Sequence, residues 1–199
     1  MPDSHDPEKG RLERLREHFD RELERREKLQ NLSREVVRLS ARSIFALHRG
    51  EEGAAGELLE KARERLKEML SLAREDPGLL AWGTVKAAQQ EYCEAFLVRA
   101  LLREGRLPEP EEAGVPYDCY LMALADASGE LRRAVLDHLR RGELKPAEQF
   151  FRQMERIYEF LTEFDYPEAV LPGMKRKQDV VRGLVERTRG ELTLSLKRG

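Results

Sequence analysis

The chain of 199 residues is 40% hydrophobic, so it is long enough to bury a substantial core, and we expect one domain. Its 36 basic and 38 acidic residues give a net charge of −2, which excludes nucleic-acid binding through a bulk basic excess. The chain has only two cysteines and no apolar run long enough to cross a membrane. We therefore expect a reduced, cytoplasmic protein without a secretory leader or a disulfide framework.

The first predicted element is a long amphipathic helix from about residue 8 to residue 48, after a flexible tail at residues 1–7. In each half of this helix, apolar or small positions recur at steps of three and four residues: Leu12, Leu15, Phe19 and Leu23 in the first half, and Leu29, Leu32, Val36, Ser40, Ser43 or Ile44, and Leu47 in the second. Such a helix is about 60 Å long at 1.5 Å per residue, which exceeds one small domain. Its highly charged first half either packs on another subunit or forms a partly solvated arm, and both alternatives stay open.

Five further helices are predicted between turns that are rich in glycine and proline. They cover about residues 57–74, 79–103, 116–141, 146–164 and 174–189, and residues 51–56 are predicted to form a Gly-rich turn. Leucine at every second position of residues 191–196 is compatible with a strand or a helix. The sequence thus predicts a single all-α domain over residues 8–199, with about six to seven helices and a long first helix.

Two pairs of carboxylates occur on the predicted helices at residues 79–103 and 116–141. Glu91 and Glu94 form one pair, Asp126 and Glu130 form the other, and each pair lies one helical turn apart among apolar residues. We expect the two helices to pack antiparallel and to bring the pairs together. Four clustered carboxylates repel one another unless protons or a cation compensate, and all-oxygen ligands suit Mg²⁺ or Mn²⁺. The pattern therefore favours a site for one of these ions.

Salt bridging is the alternative explanation of the acids, with Arg132 or Arg133 as partner. A di-iron site is excluded because it needs Glu-x-x-His pairs, and the third residues after Glu91 and Asp126 are Glu94 and Gly129. The sequence contains no Gly-rich phosphate loop, zinc motif or Ser-His-Asp arrangement. The scattered histidines are interpreted as surface or capping residues: His5, His18, His48 and His138.

Two basic clusters are the best phosphate contacts that the chain offers. Arginine recurs every four residues along the first helix, and a run of three cations begins the last one: Arg34, Arg38 and Arg42, and Lys175, Arg176 and Lys177. Such clusters are either solvated surface or contacts to the phosphate groups of a polyanion.

The segments that carry these residues resemble a known family. Gln90-Glu91-Tyr92-Cys93-Glu94-Ala95 and Ala125-Asp126-Ala127-Ser128-Gly129-Glu130-Leu131 resemble the two acidic motifs of the translin superfamily. Residues 32–49 resemble its first helix, and residues 175–180 and 188–192 resemble its C-terminal region. The resemblance covers about residues 26–192 and is strongest to the branch of translin-associated factor X.

This resemblance implies a translin-like fold of seven helices and assembly into a hollow octamer, which we expect to be a homo-oligomer, with a second, translin-like partner as the open alternative. It also implies an Mg²⁺-dependent endoribonuclease that binds RNA, single-stranded or duplex, as its partner and cleaves it inside the shell. By position, Glu91, Glu94 and Asp126 would bind the metal, Glu130 would support them, and Glu35 matches a further acid on the first helix. Together these five acids are the predicted catalytic set. The alternative is a non-catalytic oligomeric scaffold that binds RNA or single-stranded DNA, in which the acids are structural.

Overall fold

Eight helices form the part of the chain that the computed structural model describes, residues 7–74 and 76–196. They are α1 (Pro7–His48), α2 (Glu52–Ala73), α3 (Pro77–Leu80), α4 (Gly83–Arg103), α5 (Pro110–Ala113), α6 (Tyr117–Arg140), α7 (Leu144–Thr162) and α8 (Met174–Leu196). No strand occurs among these residues, so the predicted all-α fold is confirmed. The predicted tail lies outside the described residues except for Pro7, where α1 begins.

Helix α2 begins earlier than predicted, so the Gly-rich turn expected at residues 51–56 is wrong. The chain reverses over residues 49–51 instead, with Gly50 at φ 76°, a left-handed conformation that glycine adopts at little cost. Glycine inside a helix costs about 1 kcal/mol relative to alanine. Complete burial of Ala55, whose carbonyl accepts a hydrogen bond of 2.8 Å from Ser43 Oγ, offsets this cost at the start of α2.

Two further segments differ from the predicted boundaries. The predicted helix at residues 79–103 is divided, because Trp82 adopts an extended backbone between α3 and α4. At the other end of the chain, residues 191–196 are helical and continue α8. Leu192 is buried there, whereas Leu194 and Leu196 are more than half exposed, so the alternating leucines do not line one buried face.

Helices α1, α4, α6 and α8 run side by side in the same direction, because their contacts pair early residues with early residues and late with late. The pairs are Ser33–Thr84 and Leu47–Arg103 between α1 and α4, Lys86–Asp118 and Gln90–Asp126 between α4 and α6, and Asp126–Lys177 and Arg132–Glu191 between α6 and α8. The predicted antiparallel packing of α4 and α6 is therefore wrong.

The connection between α4 and α6 explains this parallel arrangement. Residues 104–116 return along the bundle instead of forming a tight turn, and they include the short helix α5. The Tyr120 hydroxyl donates a buried hydrogen bond of 2.6 Å to the Pro108 carbonyl and fixes the returning segment against α6. The start of α6 consequently lies beside the start of α4. The two acidic pairs therefore lie side by side at the same position along the bundle axis.

Helices α2 and α7 cover the row of four parallel helices and are antiparallel to them. Helix α2 packs on α1 and α4, and α7 packs on α6 and α8. The core between them is filled by completely buried side chains from several helices, including Leu29, Met69, Leu97, Leu124, Leu131 and Met154. None of the helices in the described residues combines the length and the apolar character that a membrane span requires.

The first half of α1 lies outside this core. Its four large apolar side chains are all about half exposed or more: Leu12 49%, Leu15 53%, Phe19 62% and Leu23 57%. Burial of large apolar residues on α1 begins only at Leu29. The N-terminal half of α1 is thus an arm with an exposed apolar stripe, as the sequence pattern indicated.

Candidate active site

Two acids of α4 and two acids of α6 face one another across the parallel helix pair. Gln90, beside Glu91 on α4, donates a hydrogen bond of 2.7 Å to Asp126 on α6. The charges of Asp126, Glu91 and Glu130 all act on the carboxyl group of Glu94 and raise its pKa. The structure therefore brings together the four acids that the sequence singled out.

The packing of each helix explains why these acids are only partly accessible. On α4, Ala88, Tyr92 and Ala95 are buried in the core, so Glu91 and Glu94 lie at the edge of a buried face. On α6, the apolar stripe at helical spacing is buried along its whole length: Tyr120, Leu124, Ala127, Leu131 and Val135. Because both helices direct these stripes into one core, the acids beside the stripes meet at the seam between the helices.

Glu94 has the most strongly perturbed carboxyl group of the cluster. Burial is the largest cause and raises its pKa to about 8, with further contributions from Asp126, Glu91 and Glu130. Burial also raises the pKa of Glu91, and the charge of Asp126 adds to this effect. At neutral pH Glu94 thus retains a proton unless a cation takes its place, because the surroundings do not stabilise a further negative charge.

Both oxygens of Asp126 accept hydrogen bonds. Gln90 Nε2 donates to Oδ2 at 2.7 Å, and the Lys177 ammonium on α8 donates to Oδ1 in a short ion pair. The positive charge of Lys177 also offsets part of the rise in the pKa of Glu91 and of Glu94. Lys177 is consequently a counterion of three acids, although the sequence pattern assigned it to a phosphate-binding surface cluster.

Glu130 is held by a residue of α1 that lies 82 positions earlier in the sequence. His48 Nε2 lies 2.6 Å from Glu130 Oε2, and this hydrogen bond is the main cause that lowers the pKa of Glu130. The His48 side chain is only 5% exposed, so its interpretation as a surface or capping histidine is wrong. Salt bridging contributes in part: Arg133 Nη1 lies 3.9 Å from Glu130, whereas Arg132 pairs with Glu191 at 2.7 Å.

The fifth predicted acid, Glu35, is placed differently. Its carboxylate pairs with Arg65 of α2, with 3.1 Å between Oε2 and Nε, and it is not among the charges that shift the pKa of Glu94. The predicted phosphate contacts other than Lys177 are exposed to solvent: Arg34, Arg38 and Arg42 on α1, and Lys175 and Arg176 on α8. Of the predicted site residues, the structure thus gathers four acids and Lys177.

Sequence reasoning missed the site roles of Gln90, His48 and Lys177, although spacing carried a signal for two of them. Lys177 lies three residues after Met174 and four before Val181, both of which are buried on α8. His48 lies four residues after the buried Ile44 on α1. A charged or titratable residue in step with a buried stripe points inward, and this criterion would have selected both.

The acids fit a hard divalent cation in their chemistry more than in their present arrangement. Mg²⁺ and Mn²⁺ prefer oxygen ligands, which all of these acids supply. A bound cation would also neutralise the crowded negative charge that the raised pKa of Glu94 reflects. Among residues 7–74 and 76–196, however, no three Asp, Glu, His or Cys side chains are grouped closely enough to hold a metal ion. Binding of an ion by Glu91, Glu94 and Asp126 therefore requires their side chains to move.

These observations define a class of all-helical protein with a carboxylate cluster between two parallel helices. A model of the Translin family matches residues 24–189, which is most of the chain. The protein belongs to the Translin family, as its motifs indicated.

Related sequences and solved structures agree with this assignment. The chain is 34% identical over 169 residues to uncharacterized protein MJ0175 of Methanocaldococcus jannaschii, covering 84% of this chain and 74% of that one. It is 26% identical over 183 residues to the translin-associated protein X homolog of Schizosaccharomyces pombe, covering 84% and 79%. A solved complex of AfC3PO with duplex RNA has a TM-score of 0.86 at 33% identity, covering 94% and 97%. Apo-NeC3PO, at 22% identity and a TM-score of 0.84, shares the fold, with 98% of each chain covered.

Proposed function

We propose that this protein is a Mg²⁺-dependent endoribonuclease that cleaves RNA phosphodiesters inside a closed homo-oligomeric shell. The observation that carries the proposal is the cluster of four acids in which burial and like charges raise the pKa of Glu94 to about 8. A partly buried group of carboxylates with uncompensated charge is typical of a metal-dependent active site. Membership of the Translin family and similarity to AfC3PO, solved with duplex RNA, support RNA as the substrate.

In this proposal Glu91, Glu94 and Asp126 hold the ion, with Mn²⁺ as a possible substitute for Mg²⁺. The bound ion would supply an activated water and stabilise the charge that develops on the phosphodiester. Glu130 is fixed in one orientation by His48 and stays ionised at neutral pH because its pKa is lowered. It therefore keeps a negative charge beside the other acids and supports the three that hold the ion.

The RNA in this proposal, single-stranded or duplex, contacts the exposed basic clusters. Arg34, Arg38 and Arg42 lie four residues apart on α1 and are all exposed, so they present a row of cations to a phosphate backbone. Lys175 and Arg176 add two exposed cations next to Lys177 on α8. Because the overall net charge is −2, binding depends on these local rows instead of on the field of the whole protein.

We further propose that the shell is an octamer and that the arm of α1 takes part in its assembly. The stripe of Leu12, Leu15, Phe19 and Leu23 is 49–62% exposed in the single chain, and a row of large exposed apolar side chains is typical of an interaction surface. A second copy of the chain supplies an identical stripe that can cover it.

A non-catalytic scaffold that binds RNA or single-stranded DNA is the second candidate. Lys177, Gln90 and His48 already donate to Asp126 and Glu130, so part of the cluster is satisfied without a metal ion. Within the described residues no ready-made group of three metal ligands exists, which favours a structural role for the acids.

A cleavage assay separates the two candidates. The purified protein is incubated with short single-stranded and duplex RNA, with Mg²⁺ or with EDTA. Cleavage that requires Mg²⁺ is expected, and Glu94→Gln should reduce its rate about 100-fold or more while the helical circular dichroism is retained. Glu186→Gln, an exposed acid on α8, is the matched control and should cleave like the wild type.

Undiminished cleavage by Glu94→Gln would contradict the proposed active site. RNA binding without Mg²⁺-dependent cleavage by the wild-type protein would instead establish the scaffold. Robust cleavage by the pure wild-type protein rules the scaffold out.

A further inference from the structure

Lys177 places a positive charge where a divalent ion is expected. Its ammonium is paired with Oδ1 of Asp126, and its charge also offsets part of the rise in the pKa of Glu91 and Glu94. These are the same three acids that the proposed function assigns to the metal. A unit positive charge and a divalent cation at one cluster repel each other strongly in a partly buried site.

We propose that Lys177 is an exchangeable counterion that competes with the divalent ion for the carboxylate cluster. The inference rests on the proposed function. The ammonium leaves Asp126 Oδ1 when the ion binds, and it returns when the ion dissociates. Lys177 thereby sets the affinity of the site for the ion. While no ion is bound, its charge neutralises the acids and holds them in place.

The surroundings of Lys177 allow its side chain to move while its backbone stays fixed. The next residue, Gln178, is buried and donates hydrogen bonds to the carbonyls of Leu161 (2.7 Å) and Phe164 (3.2 Å), which anchor α8 to the end of α7. Met174, one turn earlier, is 1% exposed. The Lys177 side chain itself is 29% exposed, so its flexible four-carbon chain can carry the ammonium from Asp126 to solvent.

The contact of Asp126 with Gln90 restricts the exchange to one carboxylate oxygen, Oδ1. Gln90 Nε2 holds Oδ2 at 2.7 Å with a neutral donor, which a nearby cation does not repel as it repels an ammonium. When Lys177 leaves, Asp126 stays oriented by Gln90 and offers Oδ1 to the ion. The geometry therefore identifies the oxygen that changes partner.

The test measures Mn²⁺ binding to the full-length protein without RNA, by electron paramagnetic resonance or calorimetry. Lys177→Met should bind Mn²⁺ about ten-fold or more tightly than the wild type, because the competing charge is gone. Lys175→Met is the matched control, since it removes the same charge from an exposed position of the same helix, and its affinity should equal that of the wild type. Lys177→Arg, which retains the charge, should stay within a few-fold of the wild type.

A second measurement uses thermal unfolding in EDTA and in Mn²⁺. Lys177→Met should unfold about 2–4 °C below Lys175→Met in EDTA, because three acids lose their counterion, and Mn²⁺ should remove this difference. Lys177→Gln is an alternative neutral variant that retains a hydrogen-bond donor if the methionine variant fails to fold.

The outcomes separate this inference from the proposed function. If the wild type binds Mn²⁺ and neutral variants of Lys177 bind it equally or more weakly, the competition is overturned while the metal site stands. If no variant binds Mn²⁺, the metal site itself is overturned, and the exchange with it.

Discussion

His48 Nε2 lies 2.6 Å from Glu130 Oε2, although the two residues are 82 positions apart in the sequence. The contact joins the last residue of α1 to the middle of α6, two helices that run in the same direction on either side of α4. It supplies a nearly buried partner for a carboxylate whose other ion pair within the described residues is with Arg133, at 3.9 Å. One hydrogen bond thus links the end of the longest helix to the acid cluster.

Loss of this contact should destabilise the protein. His48→Leu leaves Glu130 without its main donor, and an unsatisfied, partly buried carboxylate costs about 1–3 kcal/mol. We expect this decrease in the free energy of unfolding by urea at pH 7, and a smaller one for His48→Gln, which can still donate. His18→Leu, on the exposed arm of α1, should change stability by less than about 0.5 kcal/mol. Equal stability of His48→Leu and wild type would show that the contact contributes nothing.

The same variant should alter the stability at acidic pH. Because His48 lowers the pKa of Glu130, this pair contributes stability above the ordinary carboxyl value of 4.5, and the contribution is lost as the pH falls through the lowered folded pKa. His48→Leu should therefore lose less stability than the wild type between about pH 5 and pH 3. Urea unfolding at several pH values measures this, and parallel profiles for the two proteins would contradict it.

Glu94 should give the opposite pH dependence. Burial and the neighbouring acids raise its pKa from 4.5 to about 8, so the folded protein keeps a proton that the unfolded chain loses over this range. Stability in EDTA should thus fall, by on the order of a few kcal/mol, as the pH rises from about 5 to 8. Glu94→Gln should remove most of this slope, whereas Glu186→Gln should retain it. A flat wild-type profile would mean that Glu94 is not perturbed.

The row of arginines on α1 should govern RNA affinity. Replacement of Arg34, Arg38 and Arg42 by Gln removes exposed charges that the proposed function places on phosphate. The salt dependence of binding should weaken, since each lost phosphate contact reduces the slope of log affinity against log salt by about 0.7–0.9. Filter binding of a short RNA between 50 and 200 mM salt, taken as approximate limits, measures this slope.

A control for this experiment carries the same change of net charge. Three exposed cations outside the row, Lys67, Lys145 and Arg187, are replaced by Gln. Their variant should retain the wild-type slope. An equal loss in both triple variants would show that overall charge, and not the row on α1, determines affinity.

The arm of α1 should determine the oligomeric state. Leu15 and Phe19 are 53% and 62% exposed, and Leu15→Glu with Phe19→Glu introduces repulsion into any interface that covers them. Light scattering after gel filtration should show fewer subunits per particle than for the wild type, with unchanged helical circular dichroism. Arg21→Glu alters the net charge by the same amount on another face of the arm and should leave the particle intact. An unchanged mass for the double variant would indicate a solvated arm.

The sequence predicted the helices well where a long apolar period continued without interruption. The bounds of α1 and α6 agree with the predicted helices because packing there follows the 3.6-residue period. The start of α2 was missed because Gly53 and Gly56 suggested a turn, whereas the buried Ala55 between them holds the segment in the helix. Local propensity thus gave way to tertiary packing.

The acids of the site could be predicted from the sequence, whereas the residues that contact them could not. Glu91, Glu94, Asp126 and Glu130 interrupt apolar stripes, and such an interruption is visible in the sequence. The partners Lys177 and His48 come from distant helices, and their placement depends on how α4, α6 and α8 are arranged. The length of residues 104–116 allows either direction for α6, so only the folded contacts, such as Tyr120 to Pro108, identify the parallel one.

The parallel row of helices also determines the order in which the site can form during folding. Two parallel helices cannot meet as a local hairpin, because the chain must first travel back along the bundle. The contacts of the acids with Gln90, Lys177 and His48 accordingly join residues that are 36, 51 and 82 positions apart. Closing such distant contacts costs more chain entropy than closing nearby ones, so we expect them to form late in folding. We therefore expect the candidate active site to form only as the whole bundle assembles.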